Sequence, residues 1–157
     1  MSRLQIPKPV YDGLRAHGEQ VYPEECCGIL IGHSGGDGWL VSSAIPARNA
    51  CAPASRTRYQ IEPAELVRMQ RDAARAGLEI AGFYHSHPDH PADWSPADLA
   101  EAHWLGCSYV ITAVAQGRAA HTRSFRLAGS REEDKRLEPE RIVVVDSAPA
   151  ARSGGPV

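Results

Sequence analysis

The sequence predicts an α+β fold: a single domain with a mixed, largely antiparallel β-sheet flanked by helices. Its 157 residues are enough to form one domain with a hydrophobic core. Strand-like apolar runs and helix-like amphipathic runs interleave, but without the regular strand–helix–strand alternation of a parallel sheet. Glycine-containing turns separate neighbouring strand-like runs and favour antiparallel hairpins. We expect the domain to cover residues 1–146 and residues 147–157, rich in Ala, Pro, Gly and Ser, to form a disordered tail.

Three segments have helical signals along their length or at their ends. The first carries Val10 and Leu14 at helical spacing. Gly77 follows the second, as expected of the residue after a helix end. In the third, Ser95 is a suitable N-cap and Pro96 suits the first helical position, because an N–H there would have no partner within the helix. The predicted helices cover residues 7–20, 63–76 and 96–105.

Short apolar or alternating runs predict the strands of the sheet. These runs cover residues 26–32, 39–45, 58–61, 80–84, 109–114, 119–127 and 142–145. The glycine-rich segment 34–38 separates the first two runs, which should therefore form a hairpin. Residues 48–56 have no strand pattern, so we expect an irregular segment there. The charged segment 129–140 should be an exposed loop or a short helix.

Composition argues against several classes of function. Lys and Arg number 17 and Asp and Glu 19, a formal net charge of −2, and no basic run indicates a nucleic-acid surface. The N-terminus has no signal-peptide pattern and no apolar run approaches the roughly 18 residues of a membrane-spanning helix, so we expect a cytoplasmic protein without a membrane partner. The four cysteines form no C-x-x-C pair, which argues against a zinc ribbon or a disulfide framework.

The strongest chemical signal follows the apolar run 80–84, where two histidines stand one residue apart. Because side chains alternate along a strand, His85 and His87 should point to the same side, where two imidazoles can bind a divalent metal. Pro88 has no N–H to continue the ladder. Asp98 falls in the first turn of the predicted third helix, where the helix dipole favours its ionised form. Two imidazoles, one carboxylate and an open fourth position would make a catalytic zinc site, with one zinc per chain.

Two separated motifs resemble the JAMM, or MPN-plus, family of zinc metalloproteases. The family signature is H-x-H-P, then seven residues between the second histidine and a serine, and an aspartate three residues after that serine. This sequence matches it at His85, His87, Pro88, Ser95 and Asp98. Upstream, residues 23–32 resemble the family's E-x-C-G-hydrophobic segment, and that alignment makes Glu25, not Glu24, the catalytic glutamate. The resemblance implies the family's cytidine-deaminase-like α+β fold.

The resemblance also implies a role for each matched residue. His85, His87 and Asp98 would hold Zn²⁺, with water in the fourth position. Glu25 would take the proton of that water and later pass it to the leaving amine. Ser95 would donate to the oxyanion or position the water. The implied reaction is amide or isopeptide hydrolysis without a covalent intermediate.

The compact chain most resembles the stand-alone bacterial members of this family. Their association is with ubiquitin-like sulfur carriers of the ThiS and MoaD kind, in sulfur assimilation. The implied task is to cut after the carrier's C-terminal Gly-Gly and release cysteine or a C-terminal extension. The carrier tail could add to a sheet edge, with residues 58–61 as a candidate. The alternative within the fold is removal of small modifiers from other proteins. Dimers are common in the family, but no sequence feature indicates one here.

Other interpretations of the same residues remain open. The run from His85 to His90 is also H-x-H-x-D-H, the signature of two-metal hydrolases of the metallo-β-lactamase fold. Those domains usually need a longer chain and further ligands downstream, and their motif leaves Ser95, Asp98 and Glu25 unexplained. Metal-free MPN modules act as scaffolds, although they lose ligands that this chain keeps. Ser95 and Asp98 also form an S-x-x-D capping box, which needs no catalysis.

Overall fold

Seven strands and three α-helices make up most of residues 1–51 and 54–146, which a computed structural model of the protein describes. The helices are α1 (Lys8–Val21), α2 (Pro63–Arg75) and α3 (Pro96–Glu101), and a short 3₁₀ turn covers Glu132–Asp134. The strands are β1 (Arg3–Pro7), β2 (Cys27–Gly35), β3 (Gly38–Ala47), β4 (Glu79–Pro88), β5 (Ser108–Ala115), β6 (Arg118–Ala128) and β7 (Arg136–Val145). The predicted tail, 147–157, lies outside the described residues.

All seven strands belong to one mixed sheet. Their order is β1-β3-β2-β4-β5-β6-β7, and β1 also pairs with β7, which closes the sheet. Four neighbouring pairs are antiparallel, including the predicted β2–β3 hairpin, and three are parallel. Strand β4 lies between β2 and β5, so its side chains are flanked on both sides. The predicted mixed, largely antiparallel α+β fold is confirmed.

The core lies on both faces of the sheet, as alternation along β4 requires. Tyr84 belongs to a buried cluster with Leu14 of α1, whereas Phe83 belongs to a second cluster with Met69 of α2. Helices α1 and α2 therefore cover opposite faces of this strand. Within the described residues, no helix is both long enough and apolar enough to cross a bilayer.

Four details of the secondary structure differ from the sequence prediction. Strand β1 was not predicted, and β7 begins at Arg136, inside the segment expected to be a loop or short helix. Helix α3 ends at Glu101, and the Lys135 ammonium donates to the carbonyl groups of Ala100 and Ala102 at its end. The candidate edge strand 58–61 is not a strand.

A side chain, not a neighbouring strand, fixes the segment that was predicted as an edge strand. The Asn49 amide donates to the Arg58 carbonyl at 2.9 Å, and its oxygen accepts from the Gln60 N–H at 3.2 Å. The Ala50 N–H donates to the Gln60 carbonyl at 2.8 Å. These bonds fix residues 49–51 and 58–60 outside any strand. A substrate tail therefore has no strand to extend at residues 58–61.

Candidate metal centre and catalytic cleft

The pairing of β2 with β4 brings Glu25 to the two histidines. In this antiparallel pair Cys27 lies opposite His85, and the Ser86 N–H donates to the Cys26 carbonyl at 3.3 Å. Glu25 comes two residues before Cys27, and His87 comes two residues after His85. Because the strands are antiparallel, the same register places Glu25 beside His87. One donor atom each from Glu25, His85 and His87 lies within 4.8 Å of the others. The chain thus joins residues about 60 positions apart without any special loop.

The first turn of α3 brings Asp98 to the same point. One Asp98 carboxylate oxygen lies 3.2 Å from His85 Nε2, and the other lies 3.1 Å from His87 Nε2. The two Nε2 atoms are 3.2 Å apart. Ligands bound at about 2.0–2.1 Å in a tetrahedron lie roughly 3.3 Å from one another. These three donors therefore fit the spacing of a zinc ion, and the chemistry of the set, two imidazoles and a carboxylate, also suits zinc.

The two imidazoles are held by different contacts. His87 Nδ1 lies 2.9 Å from the Pro91 carbonyl, which can only accept, so Nδ1 carries a proton. His87 Nε2 donates to Asp98 when it is protonated and can bind a metal when it is not. The His85 ring is buried, and Tyr59 stacks on it with ring centroids 4.4 Å apart. His85 Nδ1 has no hydrogen-bond partner among residues 1–51 and 54–146. Packing against Tyr59, not a hydrogen bond at Nδ1, orients the His85 ring.

The two carboxylic acids of the site have opposite electrostatic environments. Burial opposes ionisation of Asp98, but hydrogen bonds with His85 and His87 outweigh it and hold the pKa of Asp98 well below its usual range. Burial raises the pKa of Glu25 from 4.5 to about 8, and the nearby charge of His87 offsets only part of this effect. Asp98 is therefore ionised at neutral pH, as a metal ligand must be, whereas Glu25 can exchange a proton near neutrality.

Ser95 and Asp98 form the capping box predicted from their spacing. Ser95 Oγ accepts from the Asp98 N–H at 3.1 Å, and the Ser95 N–H donates to an Asp98 carboxylate oxygen at 2.9 Å. The second bond fixes the carboxylate that contacts both imidazoles. A hydroxyl that accepts one hydrogen bond still has its own proton to donate. The structural role of Ser95 therefore leaves a catalytic role open.

A cleft of about 330 Å³ opens beside this centre, and we call it the catalytic cleft. Glu25, His87 and Ser95 line it, together with Arg56, Thr57, Pro88, His90, Pro91, Asp93 and Trp94. Trp94 is one of the more exposed large apolar residues of the described chain. The cleft thus gives a peptide access to three of the five predicted site residues.

Three residues around the site were not found from the sequence. Tyr59 was placed in the wrong element, and nothing local indicates that it stacks on His85. Asn49 donates to the Glu25 carbonyl at 3.2 Å as well as to Arg58, so it ties the loop to the catalytic segment. Arg56 lines the catalytic cleft from the same loop. All three depend on long-range contacts, for which the sequence carries no periodic signal.

Asp89 belongs to the alternative two-metal motif, but among the described residues its carboxylate bonds to Tyr22 and Gln116 and not to the rings of His85 and His87. Its carboxylate accepts from the Tyr22 hydroxyl at 2.5 Å and from the Gln116 N–H at 2.8 Å. These bonds lower the pKa of Asp89, led by the bond from Tyr22. They give Asp89 a structural role at the end of β4. The arrangement favours Asp98, not Asp89, as the carboxylate of a metal site.

Comparison with known proteins decides the family. Residues 7–128 match the model of a family described as prokaryotic homologs of the JAB domain. The chain belongs to this family. The membership confirms the resemblance seen in the H-x-H-P and S-x-x-D motifs of the sequence. The fold class is confirmed as well, because a solved structure of the same fold covers almost the whole chain. That structure, the solution structure of protein DSY2949 from Desulfitobacterium hafniense, has a TM-score of 0.77 and 26% identity, covering 92% of this chain and 94% of the other.

Several relatives of this JAB-domain chain are named for the bonds they cleave. A desampylase from Haloferax volcanii is 33% identical over 76% of this chain and 87% of its own length. A probable TtuB-protein conjugate cleaving protease from Thermus thermophilus is 34% identical over 69% of this chain and 68% of its own length. A CysO-cysteine peptidase from Mycobacterium tuberculosis is 28% identical over 79% and 82%. These names agree with the peptidase activity expected from the sequence.

Proposed function

We propose that the protein is a zinc-dependent peptidase that hydrolyses the amide bond after the C-terminal Gly-Gly of a ubiquitin-like sulfur-carrier protein, releasing cysteine or a C-terminal extension. One observation carries the proposal. Two imidazoles and an ionised carboxylate lie within 3.2 Å of one another, beside a buried glutamate that can hold a proton near neutral pH. Ligand and acid–base functions are thus divided between two carboxyl groups.

Each residue of the site has a role in the proposed reaction. A zinc ion held by His85, His87 and Asp98 would polarise the scissile carbonyl and make a water nucleophilic at neutral pH. Glu25 accepts the proton of the attacking water and delivers it to the departing amine. The Ser95 hydroxyl donates a hydrogen bond to the oxygen that becomes negative in the transition state. Asn49 and the Ser95–Asp98 box keep these groups in place.

The identity of the leaving group is the finer part of the proposal. The relatives' names contain two kinds: a protein, in the TtuB-protein conjugate, and cysteine, in CysO-cysteine. The chain is 34% identical to the relative named for a conjugate and 28% identical to the relative named for cysteine, which favours isopeptide cleavage as a second candidate function. Both reactions break an amide on the carrier's terminal carbonyl and need the same residues. A homodimer and a cytoplasmic location stay predictions.

The proposal is tested with a Gly-Gly-ended carrier that bears a C-terminal cysteine, and with the same carrier joined to a lysine side chain. Mass spectrometry of the carrier after incubation with zinc-loaded protein should show loss of one or both groups. Glu25→Gln should keep the zinc but lower turnover by about 10²–10⁴-fold, because it removes the acid–base group.

Glu24→Gln is the matched control, because Glu24 is exposed whereas Glu25 is 4% exposed. It should have nearly wild-type turnover. A zinc-loaded wild-type protein that cleaves neither adduct would instead indicate a scaffold. If Glu24→Gln and Glu25→Gln lost turnover equally, Glu25 would not be the acid–base group of the reaction.

A further inference from the structure

A second cavity, of about 480 Å³, lies beside the site and has no role in the chemistry described above. We call it the aromatic pocket. Its apolar walls are Tyr59, Ile61, Leu66, Phe83, Trp104 and Tyr109. Phe83 packs against Trp104 and Tyr109 with ring centroids 5.6 and 5.4 Å apart, so these rings fix one another. The pocket is thus a cavity whose walls are mainly apolar and aromatic, with three of its rings packed against one another.

Strand β4 sets the position of the pocket relative to the metal centre. Phe83, His85 and His87 alternate onto the same face of this strand, and each step of two residues covers about 6.6 Å. Phe83 lines the aromatic pocket and His87 lines the catalytic cleft, with His85 between them. Tyr59 joins the two regions, because its ring stacks on His85 and also lines the pocket. A chain laid along this face would cross the metal centre with one end at each cavity.

The position of Glu25 gives such a chain a direction. Glu25 lines the catalytic cleft and not the aromatic pocket. It must reach the leaving amine to deliver a proton. The amine side of the scissile bond therefore belongs in the catalytic cleft, and the carrier tail runs past His85 towards the aromatic pocket. This step rests on the proposed function.

We infer that the aromatic pocket binds one large apolar side chain of the carrier tail, at the residue immediately before the Gly-Gly. The two glycines have no side chains to place. Because an extended residue covers about 3.3–3.6 Å, the next side chain lies roughly 7–10 Å from the scissile carbonyl. That distance is slightly longer than the strand step of about 6.6 Å between His85 and Phe83, so the side chain can reach past His85 to the pocket beside Phe83.

The charges in the pocket wall also select an apolar side chain. Arg58 and Glu101 line the pocket and form an ion pair with each other, so neither charge is left to attract an opposite charge from the substrate. Of the remaining lining residues, Gln60 and His103 are polar, His103 lies beside Glu132, and the others are apolar or aromatic apart from Cys51. A charged side chain would lose hydration there without gaining a partner.

The experiment uses three synthetic pentapeptides that end in Leu-Gly-Gly, Ala-Gly-Gly or Gly-Gly-Gly, each joined through its terminal carbonyl to aminomethylcoumarin. For zinc-loaded wild-type protein, kcat/KM should be about tenfold or more higher for the leucine peptide than for the all-glycine peptide, as expected from burial of one aliphatic side chain. The alanine peptide should be intermediate.

Two tryptophan variants on α2 provide the matched comparison. Leu66→Trp fills the pocket, and it should lower kcat/KM for the leucine peptide about tenfold while leaving the all-glycine peptide unchanged. Val67→Trp adds the same side chain at the neighbouring position, which is 52% exposed, and should keep the wild-type preference. Zinc content and thermal midpoints of both variants identify any general loss of structure.

Binding to the zinc-loaded Glu25→Gln variant separates this inference from the proposed function. Calorimetry should show about tenfold tighter binding of the leucine peptide than of the all-glycine peptide, even if no peptide is cleaved. Selective binding without cleavage by the wild type would overturn the proposed function and support the pocket. The pocket assignment would be overturned by cleavage or binding that does not prefer the leucine peptide. It would also be overturned if Leu66→Trp lowered kcat/KM equally for the leucine and all-glycine peptides.

Discussion

At the level of single residues, the site gives two carboxylic acids different properties by changing only their surroundings. Asp98 receives hydrogen bonds from two imidazoles and the Ser95 N–H, and these stabilise its charge. Glu25 is buried two residues before β2, where desolvation favours its neutral form. Local sequence alone could not distinguish Glu25 from its neighbour Glu24. The family motif did, and burial supplies the physical reason.

The raised pKa of Glu25 predicts how the stability of the metal-free protein depends on pH. Below pH 4.5 the carboxyl is protonated in both the folded and the unfolded state, so it has no effect. As the pH rises from 4.5 to about 8, the unfolded state loses the proton first, and the folded state becomes less stable. In EDTA, Glu25→Gln should therefore be more stable than the wild type at pH 9, by up to about 4 kcal/mol, and similar to it at pH 4.

Urea unfolding at several pH values measures this difference. Glu24→Gln serves as the control and should follow the wild-type curve, because its side chain is exposed. If the stability difference between Glu25→Gln and the wild type did not change with pH, the Glu25 carboxyl would have an ordinary pKa, and its assignment as a proton carrier would lose its basis.

At the level of elements, α3 carries Asp98 to the candidate metal centre, although it is a short helix. Six residues are too few for a helix to persist alone. The Ser95–Asp98 box fixes its start, the Lys135 ammonium binds carbonyl groups at its end, and Arg58 pairs with Glu101. The carboxylate at the metal centre is therefore placed by tertiary contacts.

Substitution of Ser95 separates its capping role from its proposed catalytic role. Ser95→Ala should lower the free energy of unfolding by about 1 kcal/mol, through loss of the cap, and turnover by about 10²-fold, through loss of the hydroxyl donor. Ser95→Asn keeps an acceptor for the Asp98 N–H, so stability should return to nearly the wild-type value while turnover stays low. Urea unfolding and hydrolysis of a carrier adduct measure the two effects. Recovery of turnover in Ser95→Asn would mean that the serine acts only as a cap.

The sequence predicted those elements whose signals are local. The run into His85 and His87, the stop at Pro88 and the Ser95–Pro96 helix start depend on strand alternation, proline chemistry and capping, and all occur as expected. Strand β1 has only five residues and takes its pairing from β3 and β7, far along the chain. The segment 58–61 has strand-like residues, but Asn49 gives its backbone other partners. In both cases the deciding contacts came from residues outside the segment, and the local pattern does not show them.

At the level of the whole molecule, the fold brings four distant segments to one point. The segment just before β2, the end of β4, the first turn of α3 and residues 56–59 meet where the sheet has β4 between two partners. Nothing covalent holds α3 against β4 at this point. An ion bound by His85, His87 and Asp98 would link the strand to the helix, and its binding free energy would add to the stability of the folded state.

Zinc should therefore raise the thermal stability of the protein. With free zinc at about 100 times the dissociation constant, the folded state gains about 2.7 kcal/mol, or roughly 5–10 °C in midpoint for a chain of this size. Scanning calorimetry of protein in EDTA and in excess zinc measures the shift. Asp98→Asn should abolish the shift, because the neutral amide is a poor zinc ligand. Asp89→Asn should keep it, because Asp89 binds Tyr22 and Gln116, and asparagine tolerates the positive φ of 56° at this position. The opposite result, with the shift lost in Asp89→Asn and kept in Asp98→Asn, would favour the two-metal H-x-H-x-D-H arrangement. The link between β4 and α3 would then contribute nothing to stability, and α3 would depend on its capping box and its contacts with Lys135 and Arg58 alone.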